Sequence, residues 1–208
     1  MRIALLPGLG ARADMYGPAF DALPGEVLRV GWPEHDGARS LANLADRILD
    51  ENPLSDCDIL VGSSLGGMVG AEIAARTSPR LLVLVGSARH PREVNMLLRQ
   101  LAKMGDRLPV EHLQNLMGLD FLAGRAEILE HLAEADPDQI RSMAAAIFAW
   151  AGRPEPGCPS PRIHGAWDLV IPPPAKGALV VPRAGHMIAM SHEEEVVRFI
   201  GDCLPEIS

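Results

Sequence analysis

A serine, an aspartate and a histidine occur in this chain at positions that could support nucleophilic catalysis. Ser64 lies in Gly62-Ser63-Ser64-Leu65-Gly66, directly after an apolar run and before a helical pattern. Asp168 and His186 each follow a later predicted strand. A serine hydroxyl is a poor nucleophile at neutral pH, so it needs an imidazole to accept its proton and a carboxylate to orient that imidazole. These residue types together predict acyl transfer through an activated serine.

The positions of the glycines select Ser64 over its neighbour Ser63. A nucleophile on a sharp strand-to-helix turn has a strained backbone conformation, and the residues two positions away must be small. Ser64 has Gly62 and Gly66 at those positions, whereas Ser63 would have a valine and a leucine. A bare Gly-x-Ser-x-Gly also arises by chance or as a turn with a serine N-cap. The interpretation therefore depends on the base and the acid.

Other histidines and aspartates fit these two roles less well. His192 lies at the start of the last predicted helix, where we expect it at the surface, and His164 lies inside a strand pattern, where we expect it to be buried and structural. His186 follows a glycine in a strand-exit loop, and Asp168 lies in a loop of the same kind. The other aspartates that we considered lie at predicted turn or cap positions, where aspartate is common for structural reasons. They are Asp120, Asp136 and Asp138. We therefore predict His186 as the base and Asp168 as the acid.

The hydrophobic pattern predicts the scaffold that positions these three residues. Six short segments are predicted as strands, most of them mainly apolar, and the earlier ones alternate with amphipathic helical segments. The six segments cover residues 3–6, 27–30, 58–62, 81–85, 161–165 and 178–181. This alternation predicts an α/β fold: a mostly parallel, six-stranded sheet with helices on both faces. Ligands bind beyond the carboxyl ends of such strands, where the three candidate residues lie.

The loop Pro7-Gly8-Leu9-Gly10 follows the first predicted strand and could bring backbone N–H groups close to a ligand. The amides of Leu9 and of Leu65, the residue after the nucleophile, would then form an oxyanion hole. A dinucleotide-binding fingerprint is a rival interpretation, because residues 8–13 fit its looser form and Glu34 follows at about 20 residues. Against it, Glu34 lies past the end of its strand.

Between residues 87 and 152 the alternation stops, and amphipathic helical segments follow one another. We expect this insertion to lie over the catalytic end of the sheet as a helical lid, within a single domain that covers residues 1–208. Met96 could contribute to its adaptable apolar underside. Trp32 and Met187, in loops after two of the strands, could line the substrate pocket with it, although each of the three is more common as ordinary packing. A closing helix is predicted to follow Ser191 as its N-cap residue.

Composition limits the class of protein. With 208 residues, 48% of them hydrophobic, the chain can bury the core of one domain. A net charge of −8 argues against nucleic acid or an anionic membrane as partner, so we expect a small-molecule substrate. The three cysteines are scattered without metal-ligand spacing, and we expect no metal and no cofactor. The apolar runs are too short for a signal peptide or a membrane span, so we expect a cytoplasmic protein. A homodimer is compatible with the sequence.

Taken in order, these motifs resemble those of the α/β-hydrolase superfamily. Residues 5–10 are similar to the family's strand-to-oxyanion loop, with Pro7 in place of a usual histidine. Residues 62–67 are similar to its nucleophile elbow, residues 164–172 to its acid loop and residues 184–187 to its base loop, and the order Ser…Asp…His is that of its triad. The two antiparallel strands that usually open the fold have no counterpart here, and a proline-rich segment replaces the helix after the acid loop. The resemblance implies a minimal, bacterial-type serine hydrolase or esterase with a helical lid.

The predicted activity is cleavage of a carboxylic ester or thioester of a small, partly apolar acyl compound, as in carboxylesterases and thioesterases. Ser64 would attack the carbonyl, His186 would move the proton and Asp168 would orient His186. Two alternatives remain open. A lyase, cyclase or C–C bond-cleaving enzyme could use the same triad, because function belongs to the site and not to the fold. A non-catalytic binding protein could also retain the hydrolase scaffold.

Overall fold

The computed structural model of the chain describes residues 1–34, 40–54, 57–96 and 136–204. Six strands within these ranges form one sheet: β1 Arg2–Leu6, β2 Glu26–Arg29, β3 Ile59–Ser63, β4 Leu81–Val85, β5 Arg162–Gly165 and β6 Leu179–Val181. Their order is β2-β1-β3-β4-β5-β6, and every neighbouring pair is parallel. The predicted α/β fold with a six-stranded sheet is confirmed, and the sheet is wholly parallel in the described part of the chain.

The described α-helices are α1 Leu41–Glu51, α2 Leu65–Thr77, α3 Pro137–Ala149, α4 Ile188–Ser191 and α5 Glu193–Cys203. The closing helix has His192 at its N-cap position, so the prediction of Ser191 as N-cap was wrong. Ser191 instead ends α4, and its hydroxyl donates to the carbonyl of Met187 at 3.1 Å. Within the described ranges, no helix combines the length and the apolar character that crossing a membrane requires.

Helices bury both faces of the sheet. Successive residues of a strand point to opposite faces, so Ala4 and Leu6 of β1 face one core while Ile3 and Leu5 face the other. Helices α1, α2 and α3 pack in the first core, and α4, α5 and a short 3-10 helix around Phe20 pack in the second. Every residue of β3 and β4 is buried. These two central strands are therefore packed from both sides, whereas two of the three residues of β6, the strand before His186, are exposed.

The chain leaves the sheet after β4 and returns at β5, and the predicted lid lies between them. Residues 97–135 of this insertion are outside the described ranges, so the lid stays a prediction. The structure describes its start and, near its end, helix α3, in agreement with the amphipathic helical segments that the sequence predicts between residues 87 and 152. The backbone N–H of Arg153 donates to the carbonyl of Arg89 at 2.7 Å. This bond brings the two ends of the insertion together beside the sheet.

A buried carboxylate joins the end of the insertion to helix α2. Glu72, 3% exposed, accepts hydrogen bonds from Trp150 Nε1 at 2.8 Å and from Arg153 Nε at 2.9 Å. Arg76 Nη1 donates to its other oxygen at 3.0 Å. Burial alone would raise the pKa of this carboxyl, but the hydrogen bonds from Arg153, Trp150 and Arg76 lower it to about 2. Glu72 is therefore charged at neutral pH and anchors the segment that leads to β5.

We expect Glu72→Gln to lower the free energy of unfolding by about 3 kcal/mol, because two guanidinium groups lose their buried carboxylate. Both arginines are partly exposed, which places the loss at the lower end of the range for buried ion pairs. Urea unfolding at neutral pH measures it. Glu51→Gln is the matched control, since Glu51 is 51% exposed and its ion pair with Arg47 should contribute less than about 0.5 kcal/mol. Equal losses in the two variants would contradict the anchoring role.

Candidate active site

Ser64 lies on the turn between β3 and α2. Its backbone has φ 50° and ψ −118°, a strained conformation that residues other than glycine rarely adopt. A Cβ on Gly62 would collide with the backbone of Gly66, and a Cβ on Gly66 would collide with the carbonyl of Leu6. The close packing of α2 against β1 and β3 therefore explains why glycines must lie two residues to either side of Ser64.

A residue that sequence reasoning missed supports this turn. Tyr16 is the only tyrosine of the chain and is buried. Its hydroxyl donates to the carbonyl of Leu6 at 2.6 Å and accepts from the N–H of Ser63 at 3.0 Å. Burial raises the pKa of this phenol, so it stays protonated at neutral pH. Tyr16 thus joins the end of β1 to the residue before the candidate nucleophile, through a long-range contact that no local pattern predicts.

Ser64, His186 and Asp168 meet at the carboxyl end of the sheet. His186 Nε2 lies 2.9 Å from Ser64 Oγ, and His186 Nδ1 lies 2.9 Å from Asp168 Oδ2. Both His186 and Asp168 are only 3% exposed. The carboxylate keeps the ring proton on Nδ1, so Nε2 is left to accept the proton of the serine hydroxyl. Chemically, this arrangement can activate a serine for attack on a carbonyl carbon.

The loop after β5 holds the carboxylate of Asp168 in place. Asp168 Oδ1 accepts hydrogen bonds from the backbone N–H groups of Val170 at 2.9 Å and Ile171 at 2.8 Å. At the base of the loop, His164 Nδ1 donates to the carbonyl of Ile171 at 3.3 Å. These bonds close the loop around the carboxylate, and His186 Nδ1 lies 2.9 Å from Asp168 Oδ2 and 3.0 Å from Oδ1.

His164 is fully buried beneath this loop, which confirms the prediction that it is a buried residue. Its Nε2 has no hydrogen-bond partner in the described part of the chain. Burial, followed by the positive charge of Arg162, lowers the pKa of this imidazole to about 4, and the nearby Asp168 opposes that shift. Protonation would place a second positive charge beside Arg162 in the core, so His164 is neutral at physiological pH.

The buried neutral state of His164 predicts a loss of stability in mild acid. Between pH 6.5 and about 4, the imidazole of His164 is protonated in the unfolded chain and neutral in the folded chain. The free energy of unfolding therefore decreases as the pH falls, by about 3 kcal/mol over this range. His164→Asn keeps an N–H donor for Ile171 but cannot titrate. Its unfolding free energy, measured in urea from neutral pH downward, should vary less than that of the wild type. Parallel curves would contradict the role of His164; Glu72 is present in both proteins, so its own pH dependence cancels in the comparison.

The two predicted oxyanion donors belong to segments that adjoin Ser64. Leu65 is the first residue of α2, where backbone N–H groups have no partner within the helix. Leu9 lies in the loop after β1, which adjoins the nucleophile, since a Cβ on Gly8 would be 3.6 Å from Ser64 Cβ. This proximity favours the oxyanion-loop interpretation over the dinucleotide fingerprint. The role of the two amides as donors stays a prediction.

The three predicted pocket residues lie in different surroundings. Trp32 is half-buried, and its indole Nε1 donates to the carbonyl of Gly8 at 2.9 Å. Met187 is buried in the second core, directly after His186 in the chain. Met96 is 68% exposed where the described part of the insertion stops. Trp32 therefore lies against the oxyanion loop, and contact of any of the three with a substrate stays a prediction.

Within the described ranges, no cluster of three or more His, Cys, Asp or Glu side chains could hold a metal ion.

A family model described as "Alpha/beta hydrolase family" matches residues 3–199. The fold is similar to that of an enol-lactonase from Burkholderia xenovorans LB400, with 22% identity, a TM-score of 0.76 and coverage of 97% of this chain and 90% of that one. A thermophilic esterase from Thermogutta terrifontis has 21% identity and a TM-score of 0.73, with 97% and 88% covered. The RedJ thioesterase of prodiginine biosynthesis from Streptomyces coelicolor has 21% identity and a TM-score of 0.68, with 98% and 90% covered. Comparison with curated proteins gives no match. At these identities the structural likeness establishes the fold.

Proposed function

The chain belongs to the alpha/beta hydrolase family and is a hydrolase, and from that premise we propose that it cleaves a carboxylic ester or thioester of a small, partly apolar acyl compound through Ser64, His186 and Asp168. The observation that carries the proposal is the pair of 2.9 Å contacts that link Ser64 Oγ to His186 Nε2 and His186 Nδ1 to Asp168 Oδ2. A hydroxyl, an imidazole and a carboxylate in that order are the components of acyl transfer to serine.

The proposed reaction proceeds through an acyl-enzyme. Ser64 Oγ attacks the acyl carbon while its proton moves to His186 Nε2, and the amides of Leu9 and Leu65 stabilise the negative charge on the carbonyl oxygen. The bond to the leaving oxygen or sulfur then breaks, and the leaving group takes the proton from His186. Water attacks the acyl-enzyme, gives its proton to His186 and releases the carboxylic acid. Ser64 regains its proton, so the enzyme returns to its starting state.

The choice of esters and thioesters as substrate class is supported by chemistry and by similar proteins. The relay of Ser64, His186 and Asp168 delivers one proton to the departing oxygen or sulfur, which then leaves as an alcohol or a thiol. The solved structures with a similar fold include proteins named as an esterase, a thioesterase and an enol-lactonase. The net charge of −8 disfavours strongly anionic substrates. We therefore expect an uncharged or weakly charged acyl compound.

A panel of p-nitrophenyl esters and matched acyl thioesters of increasing chain length tests the substrate class. We expect measurable turnover with a preference for short or medium acyl chains and release of the free acid. Failure to turn over any member, while a fluorophosphonate still labels Ser64, would overturn hydrolysis and favour lyase or cyclase chemistry at the same residues. Failure of both would leave a binding protein on the hydrolase scaffold.

A further inference from the structure

The candidate oxyanion donors are the backbone N–H groups of Leu9 and Leu65. Each belongs to a peptide group whose carbonyl accepts a hydrogen bond from a side chain. In a trans peptide the C=O of one residue and the N–H of the next point in opposite directions. The N–H of Leu9 is therefore opposed to the carbonyl of Gly8, and the N–H of Leu65 is opposed to the carbonyl of Ser64. A donor bound to either carbonyl fixes the direction of the N–H on the other side.

The carbonyl of Gly8 is held by the indole of Trp32. Trp32 Nε1 donates to it at 2.9 Å, across 24 positions of the chain. The same oxygen also closes a local turn by accepting from the N–H of Ala11 at 3.2 Å. The ring of Trp32 packs against the first core, which holds the indole in place. The shorter of the two bonds to this carbonyl therefore comes from a side chain outside the loop.

The carbonyl of Ser64 is held in the same manner by Ser87. Ser87 Oγ donates to it at 2.6 Å, while the N–H of Gly67 donates at 3.1 Å from within the helix turn. Ser87 is fully buried directly after β4, and a Cβ on Gly67 would collide with its hydroxyl. Ser87 therefore packs tightly under the nucleophile turn and is not positioned to contact a substrate.

We propose that Trp32 and Ser87 are the two positioning residues of the oxyanion hole, Trp32 for the amide of Leu9 and Ser87 for the amide of Leu65. This inference rests on the proposed function, because an oxyanion forms only if Ser64 attacks a carbonyl. The two side chains restrain the peptide planes before the substrate arrives, so little reorganisation is needed as charge develops. A hydrogen bond to the carbonyl also polarises its peptide and strengthens the N–H on the opposite side as a donor.

The expected effect is on the rate of the chemical step and not on substrate binding. Removing an oxyanion donor outright lowers kcat by about 10²–10³-fold, and removing its support should have a smaller effect. We expect Trp32→Phe and Ser87→Ala each to lower kcat about tenfold, with KM changed less than about threefold, because the interaction strengthens only in the transition state. The double variant should lose more activity than either single variant.

Two matched controls remove hydrogen bonds of the same kind away from the site. Thr77→Ala deletes a hydroxyl that donates to the carbonyl of Ile73 at 3.0 Å near the far end of α2. Trp150→Phe deletes an indole N–H that donates to Glu72. Both controls should lose some stability and keep kcat within about twofold. Thermal unfolding of all four variants identifies the temperature range in which each is folded.

A measurement that does not depend on turnover completes the test. Dipolar couplings of ¹⁵N-labelled protein report the directions of the Leu9 and Leu65 N–H bonds, and we expect Trp32→Phe to change only the first and Ser87→Ala only the second. Unchanged couplings in both variants would overturn the inference whatever the activity. Changed couplings with unchanged kcat on an ester that Ser64 hydrolyses would overturn the role in catalysis. Changed couplings in a protein that hydrolyses no ester or thioester would instead overturn the proposed function and leave the positioning of the amides established.

Discussion

Replacing Ser64 with alanine is expected to lower kcat for a turned-over ester by about a millionfold, because the acyl-enzyme can no longer form. The loss should be confined to chemistry, since the turn that holds residue 64 is built by glycines and by contacts to the backbone. The folded structure and the thermal unfolding temperature should therefore change little. An alanine with φ near 50° has the same steric strain as serine, so the variant is a clean deletion of the hydroxyl.

The neighbouring serine supplies the matched control for this variant. Ser63 is the last residue of β3 and is 3% exposed, and Ser63→Ala removes a hydroxyl one position from the nucleophile. Its kcat should remain within about threefold of wild type, because Tyr16 bonds to the backbone N–H of Ser63 and not to its side chain. Loss of activity in Ser63→Ala with retention in Ser64→Ala would show that the wrong serine had been assigned.

The second large effect on activity is expected when Asp168, the carboxylate beside His186, is replaced. Asp168→Asn should lower kcat by about 10⁴-fold, although the residue keeps its shape. The amide oxygen of asparagine can still accept from the N–H groups of Val170 and Ile171, so its NH₂ group takes the place of Oδ2 and faces His186 Nδ1. Nδ1 also lies 3.0 Å from the oxygen at the Oδ1 position, but a proton on Nδ1 would face the hydrogens of that NH₂ group. The tautomer with the ring proton on Nε2 is therefore favoured. Nε2 can no longer accept the proton of Ser64.

Asp138→Asn is a suitable control, since Asp138 is exposed and pairs with Arg141 at 2.7 Å, away from the relay. It should leave kcat within about twofold. Steady-state kinetics on one ester, together with near-ultraviolet circular dichroism to verify the fold, compare the two variants. Retention of more than about a tenth of wild-type kcat in a folded Asp168→Asn protein would contradict the assignment of this carboxylate.

The sheet and the meeting of Ser64, Asp168 and His186 at one edge of it could be predicted from the sequence because local patterns encode them. Continuous apolar runs mark β3 and β4, the central strands, whose residues are all buried. Ser64 carries a further signal in its paired glycines, and the collisions that a Cβ would make at Gly62 and Gly66 explain it. Asp168 and His186 follow strands whose ends must lie at one edge of a parallel sheet, so their meeting with Ser64 follows from topology.

The supporting residues could not be predicted, because their contacts are long-range and of ordinary chemical types. Ser87 resembles any serine after a strand, and only the packing of β4 against β3 brings its hydroxyl to the Ser64 carbonyl. Glu72 lies in a helix that the sequence predicts, but its burial depends on Trp150, which is 78 positions away. The N-cap error at Ser191 has a local cause, since its hydroxyl bonds backward to Met187 and not forward into α5.

Covalent labelling by a fluorophosphonate, followed by peptide mapping with mass spectrometry, tests most directly whether Ser64 is an activated nucleophile. The phosphonyl group reacts only with a serine whose proton a neighbouring base removes. We predict one adduct, on the peptide that contains Ser64, with labelling abolished in Ser64→Ala and strongly slowed in His186→Ala. Folded wild-type protein that forms no adduct, or forms it at the same rate without His186, would contradict the relay that Ser64, His186 and Asp168 are proposed to form.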